Sequence, residues 1–189
     1  MISREIYDYF ESHKDAFESW NLTEAYMGSE KFPGGTSALT NFIITKLGTN
    51  INTLMEKMGQ AIPQGFAENL DNIRAIKIPA NIRELKQDAF ANCKNLKSVV
   101  FEEGCKVIRS SFNGCENLMR VSLPDSLVGI GRNAFMGCNN LTQIVVPQKV
   151  QHIDTDAFPD NETCDIIVPG NPTIPQAYKQ KLIDEDRWK

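Results

Sequence analysis

The sequence predicts an α+β protein: a short repeat solenoid with one parallel strand ladder, preceded by a helical segment and closed by a C-terminal helical cap. Two observations lead there. Phenylalanines stand at 90, 112, 135 and 158, with gaps of 22, 23 and 23 residues. Around them, seven apolar columns keep register over three units. A recurrence of this length marks one supersecondary unit per repeat, which cannot bury its apolar side until neighbours stack on it.

At the N-terminus, residues 3 to 20 read as an amphipathic helix. Ser3 is a suitable cap, and Ile6, Phe10, Phe17 and Trp20 keep helical spacing. Residues 21 to 36 contain Phe32-Pro33 and Gly34-Gly35 and read as a loop. A second helix follows, capped by Thr36 or Ser37 and running to about Met58. Its apolar residues Ile44, Leu47, Ile51, Leu54 and Met58 step by 3, 4, 3 and 4, and Gly48 weakens it. Two uses of this stripe stand open: packing on the preceding helix and the first coil, or self-association into a homo-oligomer through residues 37–58. Residues 1–63 thus form the N-terminal segment.

Residues 64–170 form the solenoid, about four coils plus partial ends. Phe90, Phe112 and Phe135 are followed three residues on by Cys93, Cys115 and Cys138, and three further by Leu96, Leu118 and Leu141. Then come Val99, Val121 and Ile144, with Phe101, Leu123 and Val146 two beyond. The Leu85, Ile108, Ile130 and Ile153 column precedes the phenylalanines, and Ile82, Cys105, Leu127 and Val150 precede that. Upstream, Leu70, Ile73, Ile76, Ile78 and Pro79 continue the pattern, as do Ile166, Val168 and Pro169 downstream. Pairs such as Val99-x-Phe101 alternate at period two, the signature of a strand with one face inward. Proline after the strand ends the ladder. The Ala-Phe-x-x-Cys stretch has helical spacing, so the return is expected to be short and helical or irregular. Asparagine before each leucine (Asn95, Asn117, Asn140) suits a turn. In residues 171–189, Pro175 opens a cap helix with Tyr178, Leu182 and Trp188 as its apolar contacts.

The run Leu118-x-x-Val121-x-Leu123-Pro124-x-x-Leu127-x-x-Ile130-Gly131-x-x-Ala134-Phe135-x-x-Cys138-x-x-Leu141 resembles the BspA-type leucine-rich repeat. Val168-Pro169, Gln176-Ala177-Tyr178-Lys179 and Trp188 look like that family's terminal cap. The resemblance implies a curved leucine-rich-repeat solenoid used for binding, commonly on bacterial surfaces or in host contact, with no catalytic residues to carry over. The chain departs from the pattern at Glu102, where proline is usual, at Ser111, where alanine is usual, and at Pro159-Asp160, where the cysteine turn belongs.

The net charge of −4, from 24 acidic and 20 basic residues, argues against a nucleic-acid partner. No apolar run approaches the roughly 18 residues of a membrane span. Glu5, Asp8 and Glu11 break up any apolar block of an export signal, which places the chain in the cytoplasm or within a virion rather than on a cell surface. Cysteines at 93, 105, 115, 138 and 164 form no Cys-x-x-Cys pair and read as free, buried thiols in place of a metal site or disulfides. Gly129-Ile130-Gly131-Arg132-Asn133-Ala134 fits a dinucleotide fingerprint but lies inside the repeat, where Ile130 belongs to a core column. Neither His13 nor His152 has a nucleophile at a recognisable spacing. No cofactor and no catalysis are expected.

Strand alternation turns one set of side chains outward: Ala75, Lys77, Ser98, Val100, Arg120, Ser122, Gln143, Val145, Asp165 and Ile167. Within it the β-branched apolar residues Val100, Val145 and Ile167 suggest a partner-binding face, and Arg120 can anchor a partner. The expected function is a non-catalytic protein–protein interaction module. The alternative is a structural or receptor-contact subunit of a larger assembly, such as a phage particle or bacterial surface appendage, attached or oligomerised through its N-terminal helices.

Overall fold

The structure, a computed structural model, describes residues 35–170 and 172–189. The expected helix over 3–20, His13 and the first part of the 21–36 loop lie outside the described residues. Two short helices come first, α1 (Gly35–Lys46) and α2 (Ile51–Glu56). They replace the single helix expected to reach Met58. The break falls at Gly48, whose φ of +67° glycine takes without steric cost, and Asn50 caps α2 by accepting from the Asn52 amide at 2.8 Å.

The solenoid strands are β1 (Ala61–Ile62), β2 (Ala75–Ile78), β3 (Glu84–Leu85), β4 (Ser98–Phe101), β5 (Val107–Ile108), β6 (Arg120–Ser122), β7 (Gly129–Ile130), β8 (Gln143–Val145), β9 (His152–Ile153) and β10 (Asp165–Ile167). Helix α3 (Gln176–Asp184) follows. Among the described residues helix is thus confined to the two ends, and the body is a β-solenoid of about five turns. All strand pairs are parallel. The expected single ladder is corrected to two. One, on the ribbon of longer strands, runs β2-β4-β6 and continues, without hydrogen-bonded pairing across the junction, as β10-β8. The other is a five-stranded ladder, β1-β3-β5-β7-β9, built from two-residue strands. Its inward residues are the Ile62, Leu85, Ile108, Ile130 and Ile153 column, all fully buried. A two-residue strand carries no alternation to read, so this column announces burial in the sequence but not pairing.

Inside, aromatic rings stack from coil to coil. Phe90 and Phe112 lie parallel with centroids 5.4 Å apart, and Phe112 and Phe135 repeat this at 5.7 Å. Phe66 extends the column edge-on to Phe90 at 5.8 Å, and Tyr178 of α3 meets Phe158 at 6.5 Å. One cluster of buried side chains runs from Leu39 of α1 to Leu182 of α3.

The 22-residue coil has a local cause. Asp88, Asn133 and Asp156, each two residues before a core phenylalanine, take φ of +55°, +56° and +54°. The coil leading to Phe112 has one residue fewer between Ile108 and the ring, and Ser110 takes no such conformation. There the buried Ser111 hydroxyl reaches the Lys86 carbonyl of the previous coil at 3.1 Å. Its departure from alanine thus adds a bond to the previous coil that a methyl could not make.

Acidic side chains brace the turns. Glu102 pairs with Lys77 and accepts from the Ala80 amide at 3.0 Å, which together hold its carboxyl below the ordinary range. Glu103 accepts from the Asp125 and Ser126 amides, both at 2.9 Å, and the Asp125 contact leads in lowering its pKa. A folded pKa below the unfolded one stabilises the protein above the usual carboxylate range, and that stabilisation is lost as pH falls through the lowered value. Glu103→Gln should therefore lower the melting temperature at neutral pH, with the gap to wild type closing in acid. A gap of constant size in melts across that range would refute this account.

Candidate binding surface

The ribbon of β2, β4, β6, β8 and β10 presents the outward side chains. Pairing places Lys77, Val100 and Ser122 in one register, and Val145 opposite Ile167 in the continuation. Val100 is 45% exposed and Val145 50%. Lys77, Arg120, Ser122 and Gln143 are exposed, while Ser98, Asp165 and Ile167 are half-buried. The structure therefore brings the sequence-predicted face onto one surface. It adds Met119, 54% exposed immediately before β6, which alternation did not mark because it precedes the strand. Val121 and Leu123 are only partly buried, at the junction where β6 and β8 do not pair.

The proposed oligomerisation stripe is placed differently. Ile51, Leu54 and Met58 are buried, and Ile44 and Leu47 pack partly against the core. Three of its five residues thus serve the chain's own core, while Ile44 and Leu47 keep part of their surface outside it. Helix α2 lies against β2, and Asn52 Oδ1 accepts from the Lys77 amide at 3.0 Å, closing part of the first strand's free edge.

At the opposite end, the segment after α3 continues the ribbon. The Ile166 amide donates to Arg187 O at 2.7 Å, and the Lys189 amide returns a bond to Ile166 O at 2.9 Å. Thr173 does the same for the second ladder, between Gln151 and Ile153. Arg187, which sequence reading passed over, is 2% exposed. It donates to Cys164 O at 3.3 Å, Glu185 Oε2 at 2.8 Å and Pro159 O. These bonds tie the cap to the coil where the cysteine turn gives way to Pro159-Asp160.

All five thiols are free and buried. Cys93, Cys115 and Cys138 donate to the carbonyls of Ala67, Phe90 and Phe112 at 3.1, 3.1 and 3.2 Å, linking each coil to the one before. Asn95, Asn117, Asn140 and Asn161 form a parallel series to Asp71, Lys94, Glu116 and Asn139 carbonyls. These asparagines bind between coils as well as turning the chain. The Cys93 thiol is pushed up chiefly by its neighbour Cys115, and burial raises Cys138. A raised thiol and a closed core both suppress the reactive thiolate. All three should resist iodoacetamide in the native protein and label in denaturant; fast native labelling of the set would contradict their placement.

Gly129-Ile130-Gly131 lies in β7 and its following turn, with Ile130 fully buried, so the fingerprint-like run is repeat backbone. His152, in β9, contacts Asp154 at 3.0 Å on the surface. Among the described residues no group of three or more His, Cys, Asp or Glu could hold a metal ion, and no helix is long and apolar enough to cross a membrane.

Parallel ladders on two sides, an aromatic column and inter-coil asparagine and cysteine bonds define a leucine-rich-repeat solenoid with an open ribbon. The BspA type Leucine rich repeat region matches residues 60–178 in six copies, and the chain belongs to that family. A crystal structure of a leucine-rich repeat protein from Bacteroides ovatus ATCC 8483 is similar at 27% identity and a TM-score of 0.54, over 62% of this chain and 33% of that one. The T. pallidum leucine-rich repeat protein is similar at 29% identity and a TM-score of 0.52, over 56% of this chain and 54% of that one. The matched region thus spans about a third and about half of their lengths. No curated protein matches the chain.

Proposed function

We propose that this chain is a non-catalytic protein-binding module whose contact surface is the ribbon. The observation that carries this reading is the exposure of three large apolar side chains, Val100, Met119 and Val145, on three successive coils of a strand surface held by a buried core. Large apolar side chains grouped in water mark an interface more often than a bare surface. The ribbon is preformed, so association orders little of the chain and loses little entropy. Arg120 beside Met119 supplies a planar, charged anchor of the type enriched at interface centres. The alternative, a subunit of a larger assembly attached or oligomerised through its N-terminal helices, draws less on the Ile44 to Met58 stripe, since Ile51, Leu54 and Met58 lie in the chain's own core.

Val100→Asp with Val145→Asp tests the proposal, because both residues are exposed and neither supports the core. Immobilised wild type and variant are offered the same extract, and retained proteins are identified by mass spectrometry. The expected result is a defined partner kept by wild type and lost by the variant, with superimposable thermal melts. Retention of every partner by the variant would remove the ribbon from consideration.

A further inference from the structure

The ribbon's charge is one-sided, although the chain as a whole is acidic at −4. Arg74 and Lys97 stand one residue before β2 and β4, and the Lys97 amide donates to Arg74 O at 2.8 Å, so the two cations sit in adjacent coils of one column. Met119 continues that column, its amide donating to Lys97 O at 2.9 Å. Arg120 follows, in register with Ser98. Arg74, Lys97 and Arg120 are all exposed, and among the described residues none is paired with a carboxylate. The other charges on the ribbon are matched: Lys77 by Glu102, and Asp165 by Lys189 at 3.9 Å. The three unpaired cations therefore lie on the β2, β4 and β6 coils, the last two of which also carry Val100 and Met119, with Val145 one coil further on.

From this juxtaposition we infer that the ribbon's partner is an acidic polypeptide segment, its carboxylates meeting Arg74, Lys97 and Arg120 and its apolar side chains lying on Val100, Met119 and Val145. The inference rests on the ribbon being the contact surface. Guanidinium groups pair with carboxylates through two parallel hydrogen bonds, which favours arginine for this task. The interleaved apolar residues separate a polypeptide from a sulfated polysaccharide, whose anions have no use for valine and methionine. Five strands at about 4.8 Å span roughly 19 Å, the length of about six extended residues at ~3.3 Å each. Opposite charge across such a contact steers encounter and weakens with salt.

The test is selection of a random dodecapeptide library on the whole chain. The expected pool is rich in Asp and Glu interleaved with apolar residues, binds more weakly as salt rises, and loses at least about tenfold in affinity on the Arg74→Glu, Lys97→Glu, Arg120→Glu triple variant. Arg120→Gln alone serves as a milder variant, expected to weaken the same peptides by a smaller factor. A pool without acidic bias that is still lost on Val100→Asp with Val145→Asp overturns the acidic assignment and leaves the ribbon as the contact surface. A pool indifferent to all five substitutions overturns both. A heparin hexasaccharide that binds as tightly as the selected peptides, and is lost on the triple variant, overturns the polypeptide assignment.

Discussion

Phe112→Ala should lower the stability of the protein by roughly 3–5 kcal/mol, the range for truncating a large core side chain that its surroundings cannot refill. Phe112 is fully buried and sits between the rings of Phe90 and Phe135, with Phe101 edge-on at 6.2 Å. Its removal deletes three ring contacts at once, each worth about 0.5–1.5 kcal/mol beyond area burial. Neighbouring coils cannot close the gap, because ladders on two sides hold their spacing. Urea unfolding followed by far-ultraviolet circular dichroism gives the difference directly. A change below about 1 kcal/mol, smaller than a typical core truncation, would mean that the rings do not share one column.

Arg187→Ala is the second large effect, at about 3 kcal/mol or more, as for breaking a buried charge network. The substitution leaves the Pro159 and Cys164 carbonyls without their donor, and each buried acceptor left bare costs about 1–3 kcal/mol. Glu185 is a quarter exposed and can recover hydration, so its share is smaller. The loss should be local first. The Ile166 and Val168 amides, which donate to Arg187 and Lys189 carbonyls, should exchange hydrogen much faster while those of β4 keep their protection. Uniform acceleration through the whole chain, or none, would contradict this picture of the cap.

The fold was legible where one residue type recurs at one position. Phenylalanine, cysteine and leucine columns each mark a side chain that touches its counterpart one coil away, so period and burial could be read together. Phe66 escaped because one extra residue stands between it and the Leu70 column. The second ladder escaped because its strands are two residues long. Arg187 escaped because a charged side chain near a terminus reads as solvated, and only the fold shows three acceptors around it. Glu102 and Ser111 looked like departures from a pattern; each makes a bond to the preceding coil that proline or alanine could not. The candidate face was legible in part. Alternation pointed Val100, Arg120 and Val145 outward, but the cations at the strand entrances and Met119 lie outside any alternating stretch.

The bonds that join windings reach only from each one to the next, while α2 and the segment ending in Lys189 serve as separate lids. An in-frame duplication of residues 98–119 would therefore give a taller protein with both lids intact, and would widen the ribbon by one row. Height in this architecture is a quantity that gene duplication can adjust without redesign of either terminus.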